Sequence, residues 1–306
     1  MALSETRREA AGPIAAQPRR ARLASITPAS RYYWVRLLLE NPVALTSLCF
    51  IGLLALLMAF APLITQYDPN FVDPAVRLQG PSSEHWFGTD TLGRDVFARA
   101  IYGARISLLV GATVMLGTAI VGSVIGLMAG YYHRLDTLFM RGMDGFEAFP
   151  GVLLAIAIMA SLGAATRNVI IALIVVFTPN VSRLVRSTTL VNKRLAYVES
   201  ARSIGMRDST ILRRYVFMNS LSPLIVQCTF VVAFAILAEA SLSFLGAGVP
   251  PGIPTWGNMV SEGQAYLQRA WWISVFPGSM LFLTVLAINL IGDGLRDALD
   301  PRSRMR

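Results

Sequence analysis

Lysine, histidine and cysteine are nearly missing from this 306-residue sequence, and each scarcity excludes a chemistry. The single lysine, Lys193, sits in Val-Asn-Lys-Arg. A phosphate-cradling P-loop needs a glycine-rich turn ending in Gly-Lys-Ser/Thr, because backbone amides hold the phosphates and the lysine reaches the outer ones. The chain is therefore not its own P-loop ATPase. The two histidines, His85 and His133, and the two cysteines, Cys49 and Cys228, make no metal-ligand spacing and no disulfide framework. Both cysteines fall in apolar runs and read as buried small side chains. No catalytic centre built on His or Cys is supported, so a non-enzymatic chain without bound metal or cofactor is expected. Charge is scarce as well: 15% of residues are charged, against about 25% in soluble domains. The net charge of +9 sits at the ends of apolar runs, where it orients a membrane protein, and is not read as a nucleic-acid patch.

What the sequence does have is apolar length, with 54% hydrophobic residues. Six runs predict an all-α integral membrane protein with spans at about 43–64, 106–130, 137–163, 168–186, 223–247 and 271–292. The first holds 22 residues without a charge. The third must include Arg141, Asp144 and Glu147 near one end. Ahead of the spans, residues 1–30 are rich in Ala, Pro, Arg and Ser and predict a disordered basic tail. Residues 31–42, with Tyr32, Tyr33 and Trp34 between Arg31 and Arg36, predict a short amphipathic helix on the membrane surface. Residues 302–306 form a closing tail. Six spans put both termini on one side, and the loops of that side carry 21 of the 27 Lys and Arg residues. The positive-inside rule then places both termini in the cytoplasm, loop 65–105 outside and segment 187–222 inside.

Within that interior segment, Arg194 to Ile204 predicts a short amphipathic helix with Leu195, Val198, Ala201 and Ile204 as its apolar stripe. Glu199 and Arg202 can pair at i, i+3. Gly205 ends the helix in a left-handed turn, Asp208 or Ser209 can cap a second helix over 210–219, and Pro223 marks the start of span five. On this physics alone, an ordinary loop with a surface helix explains the segment equally well. Charges inside spans are functional candidates by default. Glu239, with Ser241 and Ser243, can face a polar path or be a hydrogen-bonded carboxyl packed between helices. Arg141 can pair with Asp144 at i, i+3, while Glu147 has no evident partner in the sequence. Outside, Asp90, Arg94 and Asp95 can hold a metal or a cationic substrate, but caps and turn bonds are the favoured reading.

Glu-Ser-Ala-Arg-Ser-Ile-Gly (199–205) resembles the Glu-Ala-Ala, three residues, then Gly motif shared by membrane subunits of bacterial ABC importers. Glu199, Ala201 and Gly205 match, and Ser200 replaces one small residue with another. Further on, Tyr215 and Phe217 stand where Ile and Leu are usual, and Met218 where the family has Pro. HWFGTDTLGRDVFARAIYGARISL (85–108), AFPGVLLAIA (148–157), AEASLSFLGAGVPPGIPTWGNM (238–259) and FPGSMLFLTVLAINLIGDGLRDALDP (276–301) resemble the same group. The likeness spans residues 31–301 and is to the peptide/nickel importer family, specifically its second permease subunit.

That resemblance implies a type I importer permease fold and transport by alternating access. It assigns Glu199, Ser200, Ala201, Arg202 and Gly205 to coupling with an ATPase. It implies two ABC ATPase subunits carrying ATP and Mg, a homologous second permease, surrounding membrane lipid, and a periplasmic or lipid-anchored substrate-binding protein. The outer loop with Asp90, Arg94 and Asp95, and residues 250–258 with Trp256, are the implied receptor contacts. The cargo is a dipeptide, oligopeptide or glutathione, with nickel or an opine-like compound as alternatives. Two rivals from other classes are a self-sufficient secondary transporter or channel, which leaves the charged interior segment unexplained, and a membrane hydrolase, which the shortage of His opposes.

Overall fold

The computed structural model describes residues 33–299. The predicted tails, 1–30 and 302–306, lie outside the described residues. Asn41 and Pro42 separate α1 (Tyr33–Glu40) from α2 (Pro42–Ala59). The Asn41 side-chain oxygen accepts from the amides of Val43 and Ala44 at 3.0 and 3.3 Å. Pro42 opens α2 at a position where no amide hydrogen is needed. One further turn, Ala61–Ile64, and a short 3-10 turn, Pro74–Val76, lead through a long loop to α3 (Val96–Tyr131). Asp95 caps α3 by accepting from the Ala98 amide at 2.7 Å. The helices that follow are α4 (His133–Glu147), α5 (Gly151–Leu162), α6 (Thr166–Asn192), α7 (Ala196–Ser203), α8 (Asp208–Phe244), α9 (Trp256–Gln264) and α10 (Trp272–Leu299).

Among the described residues, α2, α3, α6, α8 and α10 are each long and apolar enough to cross a membrane. The third span differs from the continuous helix predicted over 137–163. It is two helices, α4 and α5, bent by 92°. The bend falls at Phe149-Pro150: proline has no amide hydrogen and pushes the residue before it out of helical geometry. The 12 residues of α5 reach only about 18 Å, short of the hydrocarbon thickness. The fifth span also differs. The predicted helix over 210–219 and the span at 223–247 are one rod, α8, of 37 residues. Its backbone is α-helical to Ile211, π-helical over Leu212–Phe217 and α-helical again from Met218. Neither Asp208 nor Ser209 caps it; Arg207 holds the cap position without a side-chain bond. Met218 keeps the amide hydrogen that a proline would lack, so the helix runs on.

Close approach between helices comes from glycine. Gly122, Gly126 and Gly130 of α3 face Val181, Ser182, Val185 and Thr189 of α6, and the two helices run parallel. A Cβ added at Gly126 would lie 2.5 Å from the Ser182 carbonyl oxygen, so only glycine allows this contact, as in other small-residue helix seams in membranes. α8 runs antiparallel to α3, with Gly111 against Val232 and Ile236. α10 returns along α8, with Gly292 beside Thr229, and ends where Gly294 meets Leu38 and Ala44. The start of α2, the ends of α3, α6 and α10, the start of α8 and all of α7 therefore share one end of the bundle. The loop after α2 and α9 cover the other.

Val110, Val114, Leu173, Val181, Val231 and Leu242 lie in the core shared by α3, α6 and α8. Leu56, Leu116, Ile120 and Phe282 point outward and are exposed, a surface suited to acyl chains and costly in water. Cys228 is half-buried, but Cys49 is exposed on α2 rather than buried. The first span packs against α10 at Gly294 and against α3, where Leu54 joins Ala104 and Arg105 donates to the Met58 carbonyl, while its Leu53 and Leu56 are exposed.

Candidate functional site

At the shared end of the bundle, α7 lies across the start of α8. Val198 and Ala201 are buried against Ile211 and Val216, with Leu127 and Tyr131 of α3 alongside. Leu195 and Ile204, predicted on the same stripe, are exposed, Ile204 by 77%. A helix of eight residues offers one turn to its support, and the stripe ends project past it. Ala201 faces inward, whereas Glu199, Ser200, Arg202 and Gly205 are exposed.

Gly205 adopts φ +76°. The Met206 amide donates to the Ala201 carbonyl at 3.1 Å and the Gly205 amide to the Arg202 carbonyl at 3.0 Å. This double bond pattern is a Schellman turn, whose left-handed residue favours glycine. No atom lies within 4 Å of a Cβ built at Gly205, so backbone conformation, not space, demands glycine there.

The predicted Glu199–Arg202 pair does not form. A guanidinium nitrogen of Arg202 donates to the Tyr131 hydroxyl at 3.3 Å, with the guanidinium 5.5 Å from the ring centre. The Tyr131 hydroxyl in turn donates to the Asp208 carboxylate at 2.5 Å. Asp208 thus ties the start of α8 to the end of α3 instead of capping α8, and Arg202 ties α7 to the same hydroxyl. Lys193 donates to the Gly130 carbonyl at 2.6 Å, meeting one of the carbonyls left open at the end of α3. Burial, and then the neighbouring Arg194, lowers the Lys193 pKa. The module is pinned to the bundle on one side and bare on the other.

Glu239 and Ser243 are buried together. The Ser243 hydroxyl donates to one Glu239 oxygen at 2.8 Å and the Ser107 hydroxyl to the other at 3.2 Å. Ser241 points elsewhere and donates to the Leu237 carbonyl at 2.8 Å. Residues i and i+4 share a helix face, and i+2 does not. The carboxyl is a packed, hydrogen-bonded group between α3 and α8.

Asp144 pairs with Arg183 of α6 at 2.7 Å, not with Arg141. Glu147 binds the same guanidinium. The 92° bend turns α4 across the end of α6 and gives the acids a partner that sequence spacing on α4 could not reveal.

Asp90, Arg94, Asp95 and Trp256 are all buried, which removes them as surface contacts for a receptor. Asp90 accepts from the Leu92 and Arg94 amides and from the Arg94 side chain. Asp95 caps α3 and meets His85 at 2.9 Å. Arg94 and Arg99 both reach Glu262 of α9, at 2.8 and 3.1 Å. The Trp256 indole donates to the Ala100 carbonyl at 3.0 Å. The favoured reading of caps and turn bonds matches this geometry, with an added ion-pair network joining the loop to α9.

Comparison with known proteins decides the family. Residues 122–305 match the family described as binding-protein-dependent transport system inner membrane component, and residues 32–81 match the N-terminal TM domain of oligopeptide transport permease C. The chain belongs to this family. It is a permease subunit of an ABC importer, a multi-pass protein of the bacterial inner membrane. A dipeptide transport system permease protein of Alkalihalophilus pseudofirmus is 45% identical over 266 residues, covering 87% of this chain and 88% of that one. A glutathione transport system permease protein of Pectobacterium atrosepticum is 44% identical over 274 residues, covering 89% and 91%. A protein of Brucella abortus named as a peptide transport system permease is 50% identical over 260 residues, covering 83% and 88%. A solved amino acid ABC transporter with histidines shares the fold, with a TM-score of 0.51 at 14% identity over 65% of this chain and 94% of that one.

Permeases of such importers work with an ATPase and a substrate-binding protein. In this permease, sequence reasoning did not single out Tyr131, Arg183, Arg99 or Glu262. Each acts through a partner between 36 and 168 positions away. The signal available for Arg183 was an arginine within the apolar approach to segment 187–222, a costly placement that calls for a partner.

Proposed function

We propose that this permease imports a peptide-class solute, a dipeptide, oligopeptide or glutathione, by alternating access driven from ATPase subunits in trans. The supporting observation is the exposed strip Glu199, Ser200, Arg202 and Gly205 on a module pinned to three membrane helices. A push on that strip reaches α3 through Tyr131, α6 through Lys193 and α8 through the covalent turn at Gly205. The names of its relatives support the cargo class. Both termini and α7 lie on the cytoplasmic side, as the basic loops favour. The chain performs no covalent chemistry and binds no cofactor, while ATP and Mg belong to two ATPase subunits. A homologous second permease completes the pore, and a periplasmic or lipid-anchored protein delivers the solute.

Reconstitution of the full assembly in vesicles tests this reading. ATP together with the loaded receptor is expected to drive peptide accumulation. Uptake by this chain alone under an ion gradient, without ATP, would favour the rival secondary transporter.

A further inference from the structure

A cavity of about 570 Å³ opens at the bend between α4 and α5. Its wall includes Phe146, Glu147, Phe149, Phe177, Asn180 and Arg183. Arg183 holds Asp144 at 2.7 Å and Glu147 beside it, and the Arg183 and Asp144 side chains are 41% and 64% exposed. Asn180, one turn before Arg183, is exposed too. Charged groups at membrane depth do not face acyl chains; they face protein or a water-filled cavity. Here the charges border open space of a size that ordinarily accepts a small molecule.

We infer that this cavity is a transit subsite for a zwitterionic peptide-class solute, with Glu147 taking the ammonium and Arg183 the carboxylate. The inference rests on the proposed cargo class and deepens it. Two acids and one arginine leave the cluster with one surplus negative charge, which favours the entering ammonium. In the empty state the acids and Arg183 satisfy one another. A zwitterion exchanges with them so that Glu147 and Arg183 each keep an opposite charge, and because both are partly exposed the exchange escapes the desolvation cost of a buried pair. Such an exchange yields weak, reversible retention, as transit requires. Phe146, Phe149 and Phe177, with Leu154 and Val176, make most of the remaining wall apolar and impose no particular hydrogen-bond pattern on the side chains carried through.

The test uses the full transporter in lipid nanodiscs, with Cys49→Ser and Cys228→Ser as background and Asn180→Cys as reporter. A membrane-impermeant thiol reagent is expected to label residue 180. Saturating alanyl-alanine is expected to slow labelling by roughly tenfold, while N-acetyl-alanyl-alanine amide, which lacks both charges, does not. Glu147→Gln and Arg183→Gln should each abolish the protection. A second reporter, Leu154→Cys, gives the same readout should the first variant fail to assemble. An unlabelled thiol, labelling indifferent to the dipeptide, or protection that survives both Gln variants overturns the subsite. Receptor-delivered uptake by the wild-type assembly is measured in parallel. Uptake without protection defeats the subsite alone, whereas absence of peptide uptake defeats the cargo reading and the subsite with it.

Discussion

The Tyr131 hydroxyl donates to the Asp208 carboxylate at 2.5 Å, so the last residue of α3 grips the first residue of α8 beside α7. Arg202 of α7 closes the contact from above. Tyr131→Phe and Asp208→Asn should each weaken the grip by about 0.5–1.5 kcal/mol, the usual worth of one hydrogen bond. Peptide uptake per ATP hydrolysed should fall several-fold in each, and the double variant should be no worse than the worse single one. A strictly additive loss in the uptake assay would mean that the two residues act separately.

Gly205 should tolerate change poorly for a backbone reason. Gly205→Ala keeps ample space but places a side chain at φ +76°, at a cost of about 1 kcal/mol. Gly205→Pro cannot adopt that φ, and Glu199→Arg reverses the exposed charge. Both should abolish uptake and transport-coupled ATP hydrolysis while membrane fractions still contain the assembled complex. Normal uptake in both would remove the coupling role from α7.

The glycine seam between α3 and α6 gives a steric prediction. Gly126→Val would drive new atoms into the Ser182 carbonyl, already 2.5 Å from an added Cβ. Overpacking of this kind costs about 1–3 kcal/mol. Thermal unfolding in detergent should shift downward, and more than for Gly142→Val, where a Cβ meets nothing within 4 Å. Equal shifts at the two sites would deny the seam its role.

Glu262→Gln should damage the far end of the bundle. Arg99 is fully buried and Arg94 nearly so, with Glu262 shared between them. Removing one partner of a buried charge network costs about 3–5 kcal/mol; here Asp90 alone would face both guanidinium groups. Loss of folded protein, read by size-exclusion profile and limited proteolysis, is expected. Glu262→Asp should recover part of it.

The membrane class, the long apolar helices and the short helix ending at Gly205 were legible in the residues themselves. Long apolar runs leave a chain few alternatives to helices in lipid, since every backbone amide must find its bond within its own segment. Gly205 declared the turn because few other residues accept its backbone angle. The single lysine, outside any glycine-rich turn, already ruled out a P-loop in this sequence.

Tertiary structure decided which polar groups meet. Local spacing offered Arg141 to Asp144 and Arg202 to Glu199, yet Arg183 and Tyr131 took those places once the chain bent at Phe149-Pro150 and laid α7 against α3. It also separated Glu239 from Ser241, buried the four residues expected on the outer surface, and merged the second interior helix with the fifth span. The physical reason is common to all of these. Periodicity reports one helix at a time, whereas a charge in a low-dielectric interior pairs with whatever group the packing of several helices brings within reach.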